Sequence, residues 1–150
     1  MRIASRTVTI QRPLDVVARQ FADVAHHQAT GVHPDVRFTV VDESTTHCDY
    51  DQVTRQGPVR MWQRLRLDRS DPMHQVHTVT DGRFAGGTLA FDLAEPAAGT
   101  TTVTATLSSP RRALRLLGPL LGRELGKALE EDRADLESGT YERHASTPGG

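Results

Sequence analysis

The chain has 150 residues, the size of one domain, and is long enough to bury a core without covalent or metal staples. Hydrophobic residues make up 37% and charged residues 25%, an ordinary soluble balance. A formal net charge of −1, with seven histidines counted neutral, leaves no basic surplus for neutralising phosphates and excludes nucleic acid as the main partner.

Residues 3–11 alternate, with Arg6, Val8 and Ile10 set against Thr7, Thr9 and Gln11, and read as a strand. Pro13 stops it and suits the first position of a helix, where no N–H is needed. Leu14, Val17, Phe21 and Val24 then form the apolar stripe of an amphipathic helix ending near His26 and His27. Gly31 and Pro34 mark a turn or short helical link. Strand then follows strand over 36–42, 47–56, 59–69, 75–81, 87–94 and 101–109. The breaks carry turn residues, among them Gly57-Pro58, Asp71-Pro72 and Gly82 with Gly86. Connections this short favour antiparallel neighbours, and the first strand brings the set to seven. Pro110 closes the last strand. Leu114, Leu117, Leu121, Leu125, Ala128, Leu129 and Leu136 trace a second helical stripe. Pro119, inside it, either kinks the helix or marks the start of its main segment. Residues 138–150 have no periodicity and are expected to be a disordered tail outside a domain spanning 1–137.

Cys48 is the one cysteine, so no intrachain disulfide forms, which fits a reducing compartment. No signal-peptide core follows Met1. The longest apolar-rich window, 113–121, contains Arg115, Gly118 and Pro119 and is far shorter than the roughly 20 residues a membrane span needs. A cytoplasmic protein without a membrane span is expected. Arg111, Arg112 and Arg115 are followed by Glu124, Glu130, Glu131 and Asp132, which reads as a solvated helix face.

The order of elements, an α+β pattern, resembles the helix-grip superfamily of START domains, plant pathogenesis-related allergens and polyketide cyclases/dehydrases (the SRPBCC type). "VTIQRPLDVVARQFADVAHH" is similar to its first strand and helix, "GGTLAFDLAEPAAGTTTVTATL" to its last hairpin, and "LLGPLLGRELGKALEEDRADLE" to its terminal helix. The resemblance implies a seven-stranded curved antiparallel sheet around a long C-terminal helix, with two short helices after strand 1. It also implies a cavity between sheet and helix, in proteins that range from enzymes to carriers.

Alternation identifies the side chains that face such a cavity. In 59–67 the apolar series is Val59, Met61, Gln63, Leu65 and Leu67, opposite Arg60, Trp62, Arg64 and Arg66. On the preceding strand Cys48, Tyr50 and Gln52 turn inward if Asp49 and Asp51 face water. Tyr50, Gln52 and Gln63 among Met61, Leu65 and Phe91 look like a ligand pocket. The other reading is that the two amides bond each other or the backbone and stiffen the sheet. Gly118, Gly122 and Gly126 share one face of the terminal helix, and something approaches that face closely, either the sheet or a ligand. Gly122 is placed at the cavity mouth.

His26, His27 and His33 lie within eight residues. Histidine serves both as metal ligand and as acid–base group near neutral pH. No HExxH, CxxC or i, i+4 histidine pair is present, so a metal site would need His26 and His33 to converge across the turn with a third ligand. Cys48 cannot form a dyad with His47, because strand neighbours point to opposite faces.

The reading favoured by the resemblance is binding of a small apolar or aromatic molecule, with cyclase- or dehydratase-like chemistry. In it His33 is the first choice for the acid–base group and Tyr50 the second. Gln52, Met61, Gln63, Leu65, Phe91 and Gly122 contact the ligand. A non-catalytic carrier or sensor and a metal-dependent enzyme are the alternatives. The cofactor, the ligand and the oligomeric state are not specified by the sequence.

Overall fold

Buried Ala4, Val8 and Ile10, spaced by exposed neighbours, make Arg2–Ile10 a strand, β1, in the structure, a computed structural model that describes residues 1–145. Two helices follow, α1 (Leu14–Ala22) and α2 (Val24–Thr30). The sequence reading carries one helix through to His26 and His27. The chain instead breaks at Asp23, whose carboxylate accepts the His26 backbone N–H and starts α2 afresh. Gly31 ends α2 at φ 62°, a left-handed conformation that costs glycine little.

Six strands come next: β2 (Val36–Glu43), β3 (His47–Gln56), β4 (Val59–Asp68), β5 (His74–Gly82), β6 (Thr88–Ala97) and β7 (Thr100–Ser108). A 3-10 segment, Arg112–Leu117, leads into the long helix α3 (Gly118–Glu137), with Pro119 in its first turn. Pro119 therefore marks a helix start and not a kink.

The strands form one seven-stranded antiparallel sheet in the order β1-β7-β6-β5-β4-β3-β2. Register shifts at Val40/Asp42 on β2, Arg64/Leu65 on β4 and Ala94/Ala97 on β6 add local bends, which curl the sheet towards α3. The apolar core divides in two. One half joins β1, β6 and β7 to α1 and α3 through residues such as Ile10, Phe21, Val103, Leu129 and Leu136. The other sits on β3, β4 and β5 beneath α2 and contains Val24, Cys48, Tyr50, Leu65, Leu67 and Val79.

The glycine face of α3 packs on β1. A Cβ on Gly118 would lie 3.1 Å from the Ile3 carbonyl, and one on Gly122 would lie 2.5 Å from the Arg6 guanidinium. Gly122 is thus not at the cavity mouth: the sheet edge, not a ligand, occupies the space beside it.

The domain also extends past the expected boundary at 137. Thr140–Ala145 form a further helix, α4, and its Tyr141 is buried in the core, with its hydroxyl donating to Asp23 at 3.1 Å. The remainder of the expected tail, 146–150, lies outside the described residues. Among the described residues no helix is long and apolar enough to cross a membrane.

Candidate functional site

Between the two halves of the core lies a cavity of about 630 Å³, roofed by α2 and α3 and floored by the concave face of the sheet. Its volume falls in the range of small-molecule sites. Tyr50, Gln52, Met61, Gln63, Leu65 and Phe91 all line it, as does His33. The strand registers explain the grouping: Gln52 pairs with Gln63 across β3 and β4, Tyr50 with Leu65, and Leu65 with Val79 of β5.

The amides do not bond each other. Gln52 donates to Thr54 at 3.2 Å, and the buried Oε1 of Gln63 has no hydrogen-bond partner among the described residues. Tyr50 is bonded through its hydroxyl to Nδ1 of His77 at 2.7 Å. His77 stands edge-to-face with both Tyr50 and Phe91, and Phe38 extends the series with a tilted contact to Tyr50. Nε2 of His77 is also buried without a partner among the described residues. Burial, with a smaller contribution from His27, pushes the His77 pKa down to about 3, and burial pushes the Tyr50 phenol up. Both are neutral at pH 7.

A charged cluster lines the same cavity beside Phe38, the ring that packs on Tyr50. It comprises His27, His33 and Asp132. His27 Nε2 lies 2.8 Å from Asp132 Oδ1, and His33 Nε2 lies 3.3 Å from Oδ2. Nδ1 of His33 meets Glu131 at 3.0 Å, and Nδ1 of His27 meets the Asp23 carbonyl at 2.8 Å. Burial opposes charging of His33, but Asp132 and Glu131 outweigh it and raise the pKa to about 9. His27 is likewise raised against its burial, through the hydrogen bond and charge of Asp132. Burial alone would raise the Asp132 carboxyl, yet the two imidazoles hold it well below the usual carboxylate range.

His26 and His33 are not brought together. His26 turns away to Asp135 at 2.8 Å and to His144, and His33 meets His27 in a stacked pair. Gln20 bridges the two clusters, donating to both Asp132 and Asp135 at 3.0 Å. Burial pushes the Cys48 thiol up to about 11, so it is a core residue and no nucleophile.

Three residues of the site lay outside the sequence candidates: His27, named only as one of the histidine group, His77, and Asp132, which the charge pattern puts on a solvated helix face and the structure buries. Asp132 had a signal, since it sits in the buried series Gly122, Leu125, Leu129, Asp132 and Leu136. A charge at a core position of a helix is a strong pointer to buried partners. His77 had a weaker one, the β5 alternation of Gln75, His77 and Val79.

No protein-family profile and no curated protein sequence matches the chain. Solved structures do. The aromatase/cyclase ZhuI from Streptomyces sp. R1128 is 18% identical over 97% of this chain and 96% of its own, with a TM-score of 0.60. A START superfamily protein from Mycobacterium smegmatis is 13% identical over 95% of this chain and 99% of its own, with a TM-score of 0.68. The di-domain aromatase/cyclase StfQ of the steffimycin biosynthetic pathway is 14% identical, and the match covers 93% of this chain and 46% of that one with a TM-score of 0.72. Shared topology at this level of identity establishes architecture, and the chain has the helix-grip fold.

Proposed function

We propose that the central cavity binds a small, largely apolar or aromatic molecule bearing carbonyl or hydroxyl groups. One observation carries this reading: a cavity of about 630 Å³ with mainly apolar walls includes two residues, Gln63 and His77, each with a buried polar atom that lacks a partner among the described residues. Each such atom costs about 1–3 kcal/mol when left unpaired, and an oxygen of the ligand would recover part of it.

Within this reading the reaction is cyclase- or dehydratase-like, supported by the aromatase/cyclase descriptions of two structural neighbours. Tyr50 and His77 form a neutral hydrogen-bonded pair suited to bonding an oxygen of the ligand. In the metal-free protein His33 is a charged donor, not a base, because its raised pKa keeps it protonated at neutral pH. Gln52 and Gln63 would orient the ligand.

The test is titration with an apolar fluorescent probe. Met61 is half-buried on the cavity wall, opposite Thr54 of β3. Met61→Arg should abolish the single saturable site while far-UV circular dichroism stays unchanged, because a guanidinium in an apolar wall is strongly unfavourable. Equal probe affinity in the folded variant would remove the cavity from the function. Native mass spectrometry of freshly purified protein would then weigh the natural occupant.

A further inference from the structure

We propose that His27, His33 and Asp132 form a site for one divalent transition-metal ion on the wall of the cavity. The three residues come from α2, the turn after it, and α3, and their candidate ligand atoms lie within 4.8 Å of one another. Nε2 of His27 and Nε2 of His33 flank the same carboxylate at 2.8 and 3.3 Å. Ligand atoms each about 2.0–2.2 Å from a common ion stand about 3 Å apart, so little movement is needed to admit one.

The far sides of the imidazoles are tied in the way metal ligation requires. The Asp23 carbonyl can only accept, so the 2.8 Å contact fixes a proton on Nδ1 of His27. Glu131 does the same for Nδ1 of His33 at 3.0 Å. In each ring this leaves Nε2 as the nitrogen turned to Asp132, and a neutral ring then presents a lone pair there. Gln20 donates to Oδ1 of Asp132, the oxygen that also meets His27, and helps hold the carboxylate in place. A carboxylate or carbonyl behind each histidine, and an amide bonded to the carboxylate, is an outer shell of the kind that orients metal ligands.

Two imidazoles and one carboxylate suit zinc, iron(II), cobalt(II) or manganese(II) better than calcium or magnesium. Three protein ligands leave at least one coordination position free, and all three residues line the cavity. An ion there would take an oxygen of the cavity's occupant as a further ligand and polarise it. With the ion in place both imidazoles serve as neutral ligands. The site goes beyond the ligand-binding reading and is tested apart from it, since metal uptake requires no organic ligand.

The experiment uses the untagged full chain, titrated with Zn²⁺ by calorimetry and with Co²⁺ by visible absorption. One ion per chain is expected, with ligand-field bands for Co²⁺. Asp132→Asn and His33→Gln should each weaken binding by about 100-fold or more, and Glu131→Gln, which alters only orientation, by about 10-fold. His26→Ala should leave affinity within a few-fold, since His26 serves Asp135. His47→Ala should do the same, and it controls for the surface group Asp42, His47 and Asp49. Circular dichroism monitors folding, and His33→Gln decides the matter if Asp132→Asn does not fold. The proposal is overturned if no stoichiometric ion binds, if folded His33→Gln binds as tightly as the natural chain, or if His47→Ala abolishes binding.

Discussion

Tyr50 and His77 meet at 2.7 Å in a buried, aromatic part of the cavity, and burial determines the protonation of both. His33 and His77, both on the cavity wall, are shifted in opposite directions. His33, raised from 6.5 to about 9, contributes stability to the metal-free protein that is fully present below pH 6.5 and lost as pH rises through about 9. His77, lowered from 6.5 to about 3, contributes stability that is present above pH 6.5 and lost as pH falls towards 3, because the unfolded chain takes up a proton the folded chain refuses. His77→Gln should therefore flatten the stability profile across that lower window. The expected difference in slope approaches one proton, about 1.4 kcal/mol per pH unit. Urea unfolding of both proteins at several pH values from 4 to 7 measures it, and parallel profiles would mean His77 is charged in the folded protein. Alternation placed Tyr50, Gln52, Met61, Gln63 and Leu65 on the cavity wall because a strand puts every second side chain on one face. The histidines were harder to orient. Continuing the α1 stripe from Val24 leads to Gln28, which is exposed, because the break at Asp23 resets the helical phase. Without that break His26 could not be told from His27 as the residue facing the cavity.

Among the elements, the strands were legible to within about three residues because glycine, proline or aspartate punctuates each hairpin except β2–β3, which turns on Ser44-Thr45-Thr46. The long helix was legible through its leucines, and its structure now separates them. Leu136 is fully buried and does not border the cavity, whereas Leu125 is buried but lines it. Truncating Leu136 to alanine opens a new void in a packed region and should cost about 3–5 kcal/mol. Leu125→Ala merely enlarges space that already exists and should cost about 2–3 kcal/mol. Denaturant midpoints at constant slope give the comparison, and equal or reversed costs would mean the cavity closes in solution. The glycines on the same helix divide in a similar way. A Cβ at Gly126 would meet only Arg6 Cγ at 4.0 Å, ordinary contact, so Gly126→Ala should stabilise the protein by about 0.5–1 kcal/mol through helix propensity. At Gly122 the same change needs the Arg6 guanidinium to move, and the gain should shrink or vanish. The glycine spacing was visible in the sequence, but whether a ligand or a strand stood opposite was not, since that depends on the partner element and not on the helix.

At the scale of the whole molecule, the segment after α3 is joined to the cavity wall by one small helix that no periodicity announced. α4 has six residues, too few to display a helical repeat, and it is held by Tyr141 in the core, by Glu142 to Arg12 and by His144 to His26. Tyr141 is buried in the main core, packs edge-to-face on His26 with ring centroids 4.7 Å apart, and donates to Asp23 Oδ2. The other oxygen of that carboxylate caps α2, the helix that carries His27 to the cavity. Removing α4 therefore takes away an aromatic core residue and also one partner of the group that starts α2. A chain ending at Ser138 should be less stable than one ending at Ala145 by about 3–5 kcal/mol, the range for deleting a buried aromatic side chain. It should also bind the apolar probe more weakly, because α2 forms part of the roof. Tyr141→Phe isolates the hydroxyl and should cost only about 0.5–1.5 kcal/mol, with the core contact retained. Urea midpoints for the three proteins order these effects. If the chains ending at Ser138 and Ala145 unfold at the same urea concentration, α4 contributes nothing to the domain, and the boundary at 137 read from the sequence is the physical one.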